Sequence, residues 1–425
     1  MMQDMESAQL SNRLKLYMIQ SDKFKTDLIG IYIKRRLTKE EAGLNALLSR
    51  LLIRGTKTFD TTKKLNIHLE SCYGMILVSD VVKYGDHHIL QLKLQFPDAK
   101  HILDKNIFED ALEILHEILF HPLVKEGCFN QAFFDQEKKH LIDEINSRVN
   151  DKMSYSIERC IECMYEDEDY ETYVYGDIKN IESITNEILY AHYLKVISES
   201  QVDVSVMGDL TFETVKKGVV EKLYFDDFSV MSNAFETHLI KQTKVIHEEF
   251  NVKQGKLVLG YDTQILNTDP LYEASVLAYH IMGGGPNSQL FKLLREDKSL
   301  CYYVFSKSDK FKGCMFIGVG IDSENYDLVL DLIDKTVKNL CAGKVSEEEL
   351  RLAKEAMVTS IRSLSDYPNS FINFFYTEIL DQPLSYEFSI EKMIEAYQNV
   401  TVEDLIAVYQ NLILDTVYFI NGGAK

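Results

Sequence analysis

The chain closes its two halves in the same way. ITNEILYAHYLKVISESQVDVSVMGDL, from Ile184, and VTVEDLIAVYQNLILDTVYFINGGAK, from Val400, read alike. Thr185 answers Thr401, Tyr193 answers Tyr409, and Gly208 answers Gly422 or Gly423. The offset is roughly 215 residues, about half of the chain, as a duplicated domain would give. Each copy ends as a helix followed by a strand. The implied fold class is α+β, with two homologous domains at 1–230 and 231–425. The joining stretch is placed at Asp226–Lys244, which is polar and without clear period.

The rest of the pattern repeats in step. In the first half, Leu14–Ile19, Leu28–Ile33, Met75–Val82, Ile89–Phe96 and Val202–Met207 read as strands. Helical periodicity covers Lys39–Arg54, Asn106–Leu119, Phe129 to about Met164, and Thr185–Ser198. In the second half, Leu257–Tyr261, Tyr302–Ser306, Cys314–Ile321 and Thr416–Ile420 read as strands. Asp269–Met282, Asn287–Glu296, Asn325–Ala342, Ser346–Ser363 and Thr401–Leu412 read as helices.

Charge narrows the partners. The formal net charge of −20 opposes nucleic acid and anionic membrane as ligands. No apolar run is long enough to span a bilayer. The N-terminus carries no basic segment followed by an apolar one, so a cytoplasmic chain with reduced thiols is expected. The seven cysteines are scattered. Cys160 and Cys163 form a C-x-x-C, but no second pair stands at finger-like spacing, and ordinary helix thiols are the simpler reading.

Two segments carry chemistry. GGGPNSQLFKLLREDKSLCYYVFS, Gly283 to Ser306, strongly resembles the C-terminal signature of the insulinase-like (M16) peptidases. Ser288, Leu290, Leu294, Arg295, Glu296, Leu300 and Tyr302 fill the pattern; Ser299 stands for the usual Gly and Cys301 for the usual Ala. GLNALLSRLLIRGT, Gly43 to Thr56, fits the ends of the zinc frame G-x-x-H-x-x-E-H-x-x-x-x-G-T. In that frame i, i+3 and i+4 share a helix face, so two imidazoles grip zinc and the Glu serves as base. Here those positions hold Ala46, Ser49 and Arg50. Alanine has no donor atom, serine is a poor zinc ligand, and arginine stays cationic.

The resemblance extends along the chain. FDQEKKHLIDEINSRVNDK is similar to the segment carrying the family's third zinc ligand, which puts Glu144 at the ligand position and Glu137 at its acidic companion. VYGDIKNIESIT, with Gly176, resembles the pre-helix glycine loop, and Val206 to Asp209 the V-x-G-D strand end. No substitute metal site is apparent. His116 and His121 are five apart, roughly 140° round a helix. His87 and His88 point to opposite faces of a strand.

The resemblance implies a clam-shell of two M16/LuxS-like domains, each an antiparallel sheet with helices packed on one face, without zinc catalysis of its own. No metal or cofactor is expected. It also implies that Arg295 and Tyr302 hold a peptide beside a zinc borne elsewhere. In the family one subunit can carry zinc while another supplies this pair. The expected role is therefore the non-catalytic, substrate-binding subunit of a heterodimeric peptidase, with a zinc-bearing partner and a peptide or protein substrate; the alternative is an inert scaffold. Family members add substrate as a strand beside the Gly74–Val82 counterpart, where Val78-Ser79 here replaces Asn-Ala. Arg50 is expected to pair with Glu144 or Glu137 in the missing cation's place.

Overall fold

The computed structural model describes residues 2–103, 106–225, 238 and 242–422. Gly423 and most of the expected linker, Asp226–Lys244, lie outside these residues. The two halves repeat one sheet plan. In the first, the spatial order is Met2–Gln9, Leu14–Ser21, Gln201–Gly208, Thr26–Arg36, His87–Pro97, Ile76–Tyr84. In the second it is Lys244–Phe250, Ile413–Gly422, Gly255–Asp262, Cys314–Ile321, Cys301–Asp309. Strand for strand the orders match, except that Met2–Gln9 has no counterpart among the described residues. Each sheet is antiparallel apart from one parallel pair, Leu14–Ser21 with Gln201–Gly208 and Lys244–Phe250 with Ile413–Gly422. The fold is α+β.

One face of each sheet buries its own half's helices. Helix Lys39–Leu52 starts where the Thr38 side chain accepts from Glu41 N, with Glu40 and Glu41 favourably placed in the first turn. It sets Ala46, Leu47, Leu48, Leu51 and Leu52 against Ile31, Leu92 and Leu94. In the second half, helix Tyr272–Gly283 packs Leu277, Ala278 and Met282 on Leu257, Leu259 and Ile317.

The other face of each sheet is covered by the opposite half. The single long helix expected from Phe129 to Met164 is broken. Helix Gln131–Ser147 stays on its own half, a short turn follows, and Asp151 caps a new helix, Lys152–Met164. That helix lies on the second sheet, with Cys160 and Met164 against Val258, Phe316 and Tyr418. Gly260 makes room for it: a Cβ there would stand 3.0 Å from Met164 Sδ and 3.1 Å from Cys160 Sγ. Reciprocally, helix Pro368–Ile379 lies on the first sheet, with Phe371, Phe375, Tyr376 and Ile379 against Tyr17, Tyr32 and Met207. Tyr376 stacks on Tyr32 with ring centroids 3.6 Å apart and donates to Asp203 Oδ2 at 3.2 Å.

Hairpin tips and a buried ion cluster complete the seam. Lys312 Nζ lies 3.1 Å from Asp86 and 3.3 Å from Glu168. His238 bridges Glu168 at 2.5 Å and Asp415 at 3.1 Å. Among the described residues, no helix is long and apolar enough to cross a membrane.

Several further elements were not read from sequence. They include strand Met2–Gln9, helices Thr62–Ser71, Phe212–Lys222 and Ile390–Asn399, and strand Lys244–Phe250, which begins where the linker was expected to end.

Candidate functional site

The helix at the zinc frame delivers its side chains to the expected face, and they hold each other. Ala46 is fully buried, and Ser49 turns its Oγ back to the Ala46 carbonyl at 2.8 Å. Arg50 Nη2 reaches Glu144 Oε2 at 2.5 Å, with its guanidinium 5.5 Å from the Tyr175 ring centroid. Glu137 is paired with Arg54 rather than Arg50: Arg54 Nη1 donates to Glu137 Oε1 at 2.8 Å and Nη2 to Gln136 Oε1 at 2.8 Å. Arg54 also lies over the Phe133 ring at 4.7 Å. Arg54 stands four residues past Arg50, just beyond the helix end at Leu52, and still reaches the same neighbouring helix.

Two guanidiniums therefore face two carboxylates across these helices. A carboxylate oxygen bonded to a guanidinium at this distance has its lone pair engaged and a positive charge beside it. Zinc does not fit this set: guanidiniums hold both carboxylates, and the imidazole beside them, His140 with Nδ1 3.8 Å from Glu137 Oε2, has no second imidazole or thiolate to join it. Among the described residues no cluster of three or more His, Cys, Asp or Glu side chains could hold a metal ion.

A buried polar brace stands behind this helix. Asn45 Nδ2 lies 3.0 Å from His88 Nδ1, and Asn45 Oδ1 lies 2.8 Å from His192 Nε2. Since the amide nitrogen can only donate, His88 Nδ1 accepts, and His88 Nε2–H donates to the Val174 carbonyl at 2.8 Å. Burial pushes both imidazoles down to about 4. Gly176, at φ 77°, completes the backing: a Cβ there would meet Gly43 N at 2.7 Å. Glycine at 176 lets the loop touch the helix.

His87, His116 and His121 have other partners. His87 faces away from His88 and bonds Asp381 at 2.8 Å. His116 and His121 do meet, at 5.1 Å between centroids, because His121 sits past the helix end and leaves the 140° spacing. His116 Nδ1 is bonded to the Lys222 carbonyl at 2.7 Å. Cys160 is buried and Cys163 half-buried, and both are free thiols.

Arg295 and Tyr302 lie together in the second half. The expected α-helix over Asn287–Glu296 is instead a wide turn with π hydrogen bonding, Phe291–Asp297, closed by Lys298 N to Leu293 O at 3.1 Å. Ser299 takes φ 54°, the left-handed region that suits the glycine it replaces. This turn brings Arg295 Nη1 to the Cys301 carbonyl at 2.9 Å. Tyr302 follows on the outermost strand of its sheet and is 57% exposed. The first sheet's outermost strand, Ile76–Tyr84, likewise exposes Ile76 and Val78.

The chain is similar to several known proteins. Residues 183–357 match the model for the peptidase M16 inactive domain. The chain is 31% identical over 412 residues to the probable inactive metalloprotease YmfF of Bacillus subtilis, covering 96% of each chain. It is 22% identical over 367 residues to the uncharacterized zinc protease YmxG of the same organism, covering 84% of each. Among solved structures, a conserved protein from Enterococcus faecalis superposes with a TM-score of 0.91 at 27% identity over the full length of both chains. With its repeated sheet, and with Ala46, Ser49 and Arg50 on the helix that resembles the zinc frame, this chain belongs to the M16 peptidase family as an inactive homologue.

Proposed function

We propose that this chain is the substrate-holding subunit of a two-chain M16 peptidase and works beside a partner that carries zinc. The observation that carries the reading is the pairing of a filled metal position with an exposed Arg295/Tyr302 turn. Arg50 and Arg54 neutralise the carboxylates that would serve a metal, so hydrolysis needs a metal site on another chain. Tyr302 presents a phenol to solvent, able to donate to a developing oxyanion. Arg295 retains donors beyond the one used on Cys301, able to fork onto a substrate carbonyl. The substrate is a peptide or protein, and the setting is the cytoplasm, in keeping with the free thiols.

The bond from Arg295 to the Cys301 carbonyl favours a second reading, in which the pair only shapes its own turn and the chain is an inert scaffold. The test is to purify the tagged chain from its host, identify its partner and count zinc. Arg295→Ala and Tyr302→Phe are then assayed in the assembled complex. The substrate-holding role requires about one zinc per two chains and a fall in turnover of roughly tenfold or more with assembly intact. Unchanged turnover in both variants establishes the scaffold.

A further inference from the structure

The duplication leaves one place in the second sheet unfilled among the described residues. In the first sheet, Met2–Gln9 runs antiparallel along the outer edge of Leu14–Ser21. The strand that answers Leu14–Ser21 is Lys244–Phe250, and among the described residues it is paired with Ile413–Gly422 alone. Such an edge presents a row of amides and carbonyls without ladder partners.

A groove of about 1050 Å³ runs along this edge, with walls from both halves. Successive strand residues point to opposite faces of a sheet. Lys244 and Ile246 from one face and Val245 from the other all line the groove, so the edge itself borders it. Tyr173, Gly176 and Ile178 of the first half also line it, and none of Arg50, Glu137, Glu144, Arg295 or Tyr302 does. Four of its cations are already neutralised. Arg148 Nη1 holds Glu162 at 3.2 Å, Arg159 Nη2 holds Glu248 at 2.9 Å, Lys244 Nζ holds Glu166 at 3.2 Å, and Lys39 holds Glu171. Of the lining cations this leaves Lys179, which is exposed. Lys244 and Glu248 are thereby drawn to the first half and do not guard the edge, as charges on an outermost strand otherwise do. The groove thus offers a free strand edge beside aromatic and aliphatic side chains, with its charges largely spent.

We propose that this edge takes an extended, uncharged segment of a partner polypeptide as a further antiparallel strand, in the place that Met2–Gln9 fills in the first sheet. The segment's main chain bonds to Lys244–Phe250, and its alternate apolar side chains pack toward Tyr173 and Ile178. The inference rests on the repeated sheet plan and does not depend on Arg295 or Tyr302.

The test is fluorescence anisotropy of the full-length protein with dye-labelled octapeptides that alternate threonine with valine, leucine or tyrosine. Saturable binding of at least one is expected. Each is also made with N-methyl groups on alternate residues, in both possible phases. One phase should weaken binding by about tenfold or more and the other should leave it largely intact, because only alternate amides face the edge. Hydrogen exchange then locates the peptide, and amides within 244–250 should slow. Of Val245→Pro and Ile246→Pro, the one whose amide faces outward is tolerated at an edge, and it should fold and lose binding. The N-methyl comparison decides the matter if neither variant folds. Binding of no peptide, equal loss in both phases, or slowed amides within 76–84 or 301–309 instead overturns the proposal. So does dimerisation in sedimentation that the peptides compete away, which gives the edge to a second copy of this chain.

Discussion

Arg50 and Glu144 meet at 2.5 Å across two helices, and one turn away Arg54 and Glu137 meet at 2.8 Å. The two pairs look alike and differ in burial. The Glu144 side chain is 44% exposed, whereas that of Glu137 is 8% exposed. Removing a partner from a solvated pair costs little, because water takes over. Removing it from the buried Glu137 leaves beside that charge the half-exposed His140, 3.8 Å away and beyond hydrogen-bond reach. Arg50→Ala should therefore lower stability by no more than about 1 kcal/mol. Arg54→Ala should cost about 3–5 kcal/mol, part of it from the lost packing on Phe133. Urea unfolding of both variants measures the difference, and equal losses would show that burial does not rank these pairs.

The same geometry predicts what rebuilding the metal site requires. Arg50→His alone removes the competing cation but supplies one imidazole, and no zinc uptake is expected. The triple variant A46H/S49E/R50H adds the second imidazole and the base and frees Glu144, completing the His, His, Glu set. It should take up about one zinc per chain. Ala46 is fully buried, so the imidazole must displace packed neighbours, and the apo form should lose about 1–3 kcal/mol. Metal analysis after dialysis, with thermal melting with and without zinc, reads both effects. Zinc bound by the single variant would contradict the assignment of Glu144 and the two helix positions as one donor set.

Local signals in the sequence carried much of this architecture. The duplication was legible because both closing helices begin at threonine caps, Thr185 and Thr401, and both bury a tyrosine, Tyr193 and Tyr409. The Arg50–Glu144 pair was legible because positions i, i+3 and i+4 define a helix face without any tertiary information. Arg54 was overlooked because the family frame directs attention to three positions only. The exchanged helices were not legible at all. Lys152–Met164 continues the apolar period of the helix before it, and only the contact of Cys160 and Met164 with Val258 and Phe316 shows which sheet it serves. Strand Lys244–Phe250 was missed because its charged residues hide the alternation of a half-covered edge.

The Asn45 brace sets an acid limit on stability. His88 and His192 are held near 4 by burial, while an unfolded histidine titrates near about 6.5. The folded value is the lower one, so the unfolded chain gains protons first. The stabilisation is full above about pH 6.5 and is lost as pH falls toward about 4, at up to ~1.4 kcal/mol per pH unit for each histidine. His238 has the opposite sign: burial pulls it down, but Asp415 and Glu168 outweigh that and raise it, so its contribution is lost as pH rises. His192→Gln isolates the brace, since a glutamine amide can donate to Asn45 without titrating. The wild type should lose more stability than this variant between pH 7.5 and 5.5 in urea unfolding. Parallel losses would mean that the imidazole is not held neutral.

The exchange of helices predicts that the two halves do not fold independently. Separated from residues 231–425, the first half loses Pro368–Ile379 and uncovers Tyr17, Ile19, Tyr32 and Met207. Separated from residues 1–230, the second half loses Lys152–Met164 and uncovers Val258, Phe316 and Tyr418. Each naked face is a contiguous apolar surface on an open sheet, a form that aggregates. Phe375, 2% exposed against the other half's sheet, is the sharper probe: Phe375→Ala should cost about 3–5 kcal/mol. It should do so in one cooperative unfolding step, because the cavity opens in a face that both halves share. The two halves expressed separately should be insoluble or bind a hydrophobic dye, and should recover a folded 1:1 complex when co-expressed. A soluble, cooperatively melting 1–230 fragment would show that the exchanged helix decorates the sheet and is not needed to build it.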